Sequence, residues 1–274
     1  MAEFLAIHQS DASLLGCVLR KLSGRVSLGP QQPAAGVGFF QSDDVLLRKR
    51  PLSAPPDASR LAEGVESEAA LICSGGVGLS ARSFNEHTTL PFRFKRWLFA
   101  AAGEPDTLLP IRAALVDGLP SFLRRSVKGD SAVEALFFNF LSRLRDLGRL
   151  DDLEIAAPMA AKALAASVGA AERAFEGLGQ PLPKLALVAT NGRVMAALRR
   201  GHPLQLGLID GLIPCLRDEI EAGASDLDPR VRSHRMLRAA MVLSGQQPAL
   251  EGFRELNEGE ILAVPRGLVA IESL

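Results

Sequence analysis

Tyrosine is missing from this chain of 274 residues, tryptophan occurs once and cysteine three times. The missing tyrosine, with arginine in excess of lysine, reads as a bias of composition and carries no functional message. Cys17, Cys73 and Cys215 are odd in number, far apart and without a Cys-x-x-Cys pair. That pattern argues against a disulfide framework and a zinc site, and leaves buried apolar thiols as the expectation. His8, His87, His202 and His234 show neither His-x-x-x-His nor His–carboxylate spacing, so no metal is expected and each is read as a surface or loop side chain. Net charge is lacking too: Lys plus Arg equals Asp plus Glu at 31 each, which removes the electrostatic footprint of a nucleic-acid binder. No run approaches about eighteen apolar residues, so no membrane span is expected. Met1 to Ile7 contains an acid and lacks the basic leader and long apolar core of a secretory signal, which makes the cytoplasm the expected compartment. Without internal repeats, low-complexity tracts or an obvious linker, residues 1–274 read as one domain.

What is present suits an ordinary globular protein. Hydrophobic residues make up 47% and charged residues 23%, close to typical usage, and a chain this long buries roughly three-quarters of its unfolded surface. Met1-Ala2-Glu3-Phe4-Leu5-Ala6-Ile7 reads as a strand with no polar leader. Chain ends fray unless tied down, so a chain that starts inside a strand fixes its α-amine in the fold. Trimming of Met1 before the small Ala2 would place that amine on residue 2. An amine at the head of a strand is the base of N-terminal-nucleophile enzymes, beside a Cys, Ser or Thr. Here the side chain is a methyl group.

Ser10-Asp11 caps an expected helix through Leu14, Leu15, Val18, Leu19 and Leu22. Gly36–Phe40 and Val45–Lys49 read as a hairpin turned at Ser42-Asp43-Asp44. A Pro/Ser-rich loop over 51–57 leads to a short helical run at 60–66 and the strand Ala69–Cys73. After a polar loop from 79 to 89 come Leu90–Phe94 and the strand Trp97–Ala101. Short helices are expected at 108–116 and 120–125. Two stronger ones follow, over 136–147 and 157–175, the second ended by Gly177 and Gly179. The segments 184–189 and 193–198 form a hairpin about Asn191-Gly192, a helix is expected at 210–222, and strands at 238–243, 260–264 and 268–271. Helices set between β segments give an α+β class, a helical layer over a sheet.

This order, with several short strings, resembles the class II glutamine amidotransferases, nearest to their compact single-domain members and nearly end to end. The family's Met-Cys-Arg opening strand is similar to Met1-Ala2-Glu3-Phe4-Leu5-Ala6. Its Trp-Gly-x-Gly strand resembles Ala35-Gly36-Val37-Gly38-Phe39-Phe40. Asn-x-His-Pro-Phe followed by Trp-x-Phe-Ala-His-Asn-Gly resembles Asn85, Pro91-Phe92 and Trp97–Gly103. The Gly-x-Thr-Asp-Ser-Glu helix start is similar to Gly129–Glu134, and late strands resemble Thr190-Asn191-Gly192 and Val242-Leu243-Ser244-Gly245. The resemblance implies a four-layer αββα sandwich of the N-terminal-nucleophile hydrolase type.

It also implies which positions would carry chemistry, and these depart from the pattern. The family's nucleophilic Cys falls on Ala2. Ser10 lies more than ~25 Å away along an extended strand and is read as a cap. The oxyanion-hole His-Asn-Gly turn becomes Ala101-Ala102-Gly103, leaving only the Gly103 backbone donor; losing one such donor costs about 3–4 kcal/mol of barrier. The Arg that clamps the glutamine carboxylate is replaced within Ser74-Gly75-Gly76, and the amine-binding Asp falls on Ala132. Asp130 is a displaced substitute or, more simply, a helix cap, and Asn85 and Gly103 are the remaining binding candidates. Small residues at Ala2, Gly76, Ala102 and Ala132 leave either an apolar cavity or one filled by Phe39, Phe92 and Trp97, with filling favoured. The expectation is a catalytically inactive amidotransferase-like protein that binds a protein partner or its own kind. The alternatives are an amide or γ-glutamyl hydrolase with a recruited Cys73 or Cys17, and a small-ligand sensor. No cofactor is implied. Gly75-Gly76-Val77-Gly78 lacks the ending of a phosphate loop, and Arg93, Lys95 and Arg96 among Phe92, Phe94 and Trp97 read as alternating strand faces. Arg230–Arg235 reads as a surface basic cluster and a candidate partner patch.

Overall fold

A computed structural model describes residues 3–29, 32–42, 44–54, 56–78, 84–268 and 271–274. Met1, Ala2, the turn residue Asp43 and loop residues 79–83 lie outside the described residues. In chain order the elements are β1 (Glu3–Gln9), α1 (Leu15–Leu22), β2 (Ala34–Gln41), β3 (Asp44–Pro51), α2 (Ala58–Leu61), β4 (Ala69–Ser74), β5 (Phe92–Phe94) and β6 (Trp97–Gly103). There follow α3 (Arg112–Asp117), α4 (Ser121–Arg124), α5 (Ala132–Asp146), α6 (Ala157–Glu176), β7 (Leu185–Thr190), β8 (Met195–Arg200) and β9 (Leu204–Asp210). Last come α7 (Pro229–Met236), β10 (Arg238–Ser244), β11 (Phe253–Glu255), β12 (Ile261–Val264) and β13 (Glu272–Ser273).

Two antiparallel sheets stack face to face. One runs β11-β9-β10-β1-β4-β2-β3 and the other β13-β12-β8-β7-β6-β5. The first strand is the middle of the larger sheet, paired with β10 (Leu5 opposite Leu243) and β4 (Glu3 opposite Ser74). A central strand covered on both faces must be apolar throughout. In β1 Phe4 and Ala6 enter the core between the sheets, while Leu5 and Ile7 enter a second core under α1, against Leu15, Val18, Leu19 and Leu22. The sheets approach closely where β2 carries glycine: a Cβ on Gly38 would stand 2.7 Å from Leu98 Cδ1.

α5 and α6 cover the smaller sheet. Trp97 meets Phe140 edge-on at 5.1 Å and Phe99 stacks on Phe137 at 5.1 Å, pairs worth about 0.5–1.5 kcal/mol each beyond area burial. The layers are helix, sheet, sheet, helix, as the resemblance implies. No helix among the described residues is long and apolar enough to cross a membrane.

Several expectations fail for local reasons. Residues 210–222 are not a helix: Gly211 leaves β9 at φ +81, and Pro214 has no N–H to give a helical ladder. Ahead of that point Leu204–Asp210 is a strand. The basic run 230–235 belongs to α7, capped by Asp228 with Pro229 in its first turn. Two of its arginines pair with acids, Arg230 with Asp228 at 2.9 Å and Arg235 with Asp226 at 2.6 Å. Arg266–Leu268 forms a turn, with Gly267 at φ +79 and Leu268 at φ +62, where a strand was expected from 268, and 269–270 lie outside the described residues. Phe39 packs in the core under α1 and Trp97 against α5. Neither lies between the sheets, so neither fills a space there.

Candidate functional site

The start of β1 is held by a closed polar network. Glu3 is 4% exposed. Its carboxylate accepts from Ser244 Oγ at 2.6 Å, and His202 Nε2 stands 3.2 Å from both carboxylate oxygens. Ser244 Oγ also accepts from the Phe4 N–H at 2.8 Å. His202 occupies the turn by which the chain leaves β8 in one sheet for β9 in the other. Two glycines make room. A Cβ on Gly103 would come within 3.0 Å of the His202 ring, and one on Gly245 would overlap the Glu3 carboxylate. The carboxylate therefore sits between hydroxyl and imidazole. A nucleophile activated by a base needs those two in contact, and here each bonds to Glu3 instead.

Of the positions singled out in the sequence, Ser74 on β4 pairs with Glu3 and Gly103 lies against His202. Ser74, wholly buried, donates its hydroxyl to the Leu28 carbonyl. Gly76 bridges to Thr89 and has Thr88 O 3.0 Å from a would-be Cβ. By strand alternation from Trp97 and Phe99, Ala101 faces α5, whereas Ala102 faces the other sheet with Leu98. Both are fully buried. Gly103, at φ +97, ends β6 opposite Leu185. Ala132 is the buried first residue of α5, and the cap is Ser131, accepting from the Val133 N–H at 3.0 Å. Asp130 is thus not the cap; its Oδ1 lies against Gly78, whose N–H donates to Asp106 at 2.5 Å. Asn85 spends its side chain on a turn, accepting from the His87 N–H at 2.8 Å. A cleft of about 1250 Å³ lined in part by Gly16, Arg20, Asp57, Arg60 and Arg217, and two smaller cavities of about 160 and 50 Å³, involve none of these positions.

Other titratable groups lie away from this network. His8, at the far end of β1, is 4% exposed and bonds through Nε2 to Thr190 Oγ1 at 2.8 Å, joining the two sheets. Because Thr190 donates to the Val194 carbonyl, its oxygen accepts from His8, and burial holds the imidazole neutral by pushing its pKa down to about 4. The half-buried Lys49 ammonium donates to the Glu86 carbonyl at 2.7 Å and stands 6.0 Å over the Phe92 ring. Burial lowers its pKa to about 8. Cys73 is fully buried, and burial lifts its thiol well above the usual range against the opposing charge of Lys49.

The thiols and histidines are not dispersed as expected. Cys17 on α1, Cys215 and Asp218 in the connection after β9, and His234 on α7 converge, with one donor atom of each within 4.8 Å of all the others. Only His87 is a surface histidine; His8, His202 and His234 are buried. The signals were absent because the ligand spacing is set by tertiary packing, and α7 carries too few apolar residues to show a helical period.

No family model and no curated protein matches this sequence. Solved structures do. A glutamine aminotransferase class-II domain protein from Silicibacter pomeroyi superposes with TM-score 0.57 at 17% identity, covering 99% of this chain and 98% of that one. A protein described as a predicted glutamine amidotransferase from Pseudomonas aeruginosa PA01 gives TM-score 0.54 at 16% identity, over 99% of both chains. At these identities the likeness is one of fold: the chain has the αββα architecture of class II glutamine amidotransferase domains.

Proposed function

We propose that this chain is a catalytically inactive glutamine amidotransferase-like protein that acts by binding a protein partner or a second copy of itself. The observation that carries the reading is the state of the first strand's head. Its hydroxyl, imidazole and carboxylate are consumed in one buried network, and the positions Ser74, Ala101, Ala102 and Ala132, where the resemblance would put chemistry, bring no charge. Hydrolysis of an amide needs an activated nucleophile and donors aimed at the oxyanion. The competing reading recruits Cys73 or Cys17. Cys73 is sealed in the core with its thiol held protonated, and Cys17 lies on α1, outside the sheets.

Binding is favoured by the surface. The four most exposed large apolar side chains among the described residues are Leu208, Leu216, Leu227 and Met236, at 60%, 82%, 88% and 70%. All fall within the stretch of chain from β9 to the end of α7, and side chains this large and this exposed offer a partner apolar surface to bury.

Two measurements test the two halves. Ammonia release from glutamine by the purified chain is expected not to exceed the protein-free blank, and turnover would overturn the inactive reading. Sedimentation at rising concentration, with capture from native lysate, is expected to show association that Leu227→Glu with Met236→Glu abolishes. Identical behaviour of wild type and variant would overturn the binding surface.

A further inference from the structure

The connection from β9 to α7, residues 211–228, has no helix or strand of its own beyond a single bridge between Cys215 and Ile220. Only Leu212, Cys215 and Ile220 along it are buried. Irregular stretches of this length inside a compact fold are uncommon, and this one has little apolar burial to hold it. What it does have is a convergence of donors. Cys17 Sγ lies 3.3 Å from Asp218 Oδ2, and His234 Nε2 lies 3.3 Å from the same oxygen.

The protonation of His234 follows from its other nitrogen. Nδ1 is 2.7 Å from the Arg230 carbonyl, which can only accept, so Nδ1 carries the hydrogen. In the neutral ring Nε2 is then a lone pair, on a side chain 1% exposed, with no hydrogen-bond partner. The Cys17 thiol donates to Asp218 Oδ2, but the Nε2 lone pair faces that same carboxylate oxygen with no proton between them. An imidazole fixed by a backbone carbonyl through one nitrogen and presenting the other is the usual posture of a metal ligand.

We propose that Cys17, Cys215, Asp218 and His234 form a structural zinc site that staples α1, the 211–228 connection and α7 together. Two sulfurs, one imidazole nitrogen and one carboxylate oxygen suit zinc, which takes four such ligands tetrahedrally at about 2.0–2.3 Å. Those bond lengths put ligand atoms about 3.3–3.8 Å apart, and the donors already lie within 4.8 Å of one another. With four protein ligands the site is closed, which is the structural rather than the catalytic pattern. Two thiolates and a carboxylate around a divalent ion leave one negative charge in excess. Arg217 supplies the balance, its Nη1 3.7 Å from Cys17 Sγ. That guanidinium lies across α1 only because residue 16 is glycine; a Cβ there would overlap it. The zinc site does not depend on the binding role proposed above.

Elemental analysis of the purified chain, and titration of the chelator-treated chain with zinc or cobalt, test the site. The expected results are about one zinc per chain and a cobalt spectrum with tetrahedral ligand-field bands and thiolate charge transfer. His234→Gln and Cys215→Ser are expected to weaken zinc affinity at least ~10-fold, whereas Cys73→Ser leaves it unchanged. Should a variant fail to fold, the cobalt spectrum of the wild type decides alone. Absence of stoichiometric metal binding, a cobalt spectrum without thiolate charge transfer, affinity unchanged in both ligand variants, or a Cys17–Cys215 disulfide in place of the ion would each overturn the proposal.

Discussion

Acid should weaken this fold first through His8. The imidazole is enclosed between the two sheets, and burial depresses its pKa from 6.5 to about 4. In the unfolded chain His8 takes a proton near its ordinary value. Between those two values the unfolded state binds more protons than the folded one, so stability rises with pH across the window. Above about pH 6.5 the ring is neutral in both states and costs nothing. As pH falls toward 4 the difference accumulates at about 1.4 kcal/mol for each pH unit, reaching about 3 kcal/mol from one side chain. Against a total stability of about 5–15 kcal/mol that is a large fraction. The assay is urea unfolding at fixed temperature from pH 7 to pH 4, wild type beside His8→Gln, whose amide can still donate to Thr190. The variant is expected to lose about 3 kcal/mol less than wild type over this range. Parallel curves would refute the reasoning, because they would mean that His8 is charged in the fold or reached by water.

Lys49 gives a complementary test at alkaline pH. Its folded pKa is lowered to about 8, so the unfolded chain holds the extra proton between about 8 and 10.5 and stability should rise through that interval. Lys49→Met should flatten this rise and stabilise the fold at pH 7 by about 1–2 kcal/mol, the half-exposed ammonium being partly screened; a loss of stability on substitution would count against the assignment. Glu260 is held down to about 2, first by its hydrogen bond from Arg254. Its contribution should be intact above pH 4.5 and fade only as pH falls toward 2, and Arg254→Met should reduce that dependence in acid titrations followed by circular dichroism, leaving the part held by Ser273 and the Asn257 N–H. Gly103→Ala should destabilise by about 3 kcal/mol, combining a φ of +97 with overlap against the Lys184 carbonyl; an unchanged unfolding midpoint would show that the β6 end is free to relax.

Much of the fold could be read in the sequence because buried strands announce themselves. Phe4–Ile7, Ala69–Cys73 and Trp97–Ala101 are continuous apolar runs, which only strands covered on both faces require. The helices α5 and α6 carried their apolar stripes openly. The segment from 204 to 236 was misread for a different reason. Leu204, Leu206 and Leu208 alternate as a strand should, yet the Leu212-Ile213 pair beyond them imitates a helix, and Pro214 was the overlooked objection. α7 shows only Val231 and His234 to the interior, so its period was silent and its Asp228-Pro229 start was the sole cue. The positions Ser74, Gly76, Ala102 and Ala132 were singled out through family strings. The Glu3–His202–Ser244 network was not, since its members are far apart in the chain and meet only where the chain crosses from β8 in one sheet to β9 in the other. The same holds for the donors around His234.

The central claim, that no activated nucleophile stands at the head of the first strand, meets its most direct test in intact-mass analysis after incubation with a glutamine-like covalent electrophile. The folded chain is expected to keep an unchanged mass, with Cys73 labelled only after denaturation. A stoichiometric adduct on the native protein, at the first strand or on Cys73, would contradict the claim.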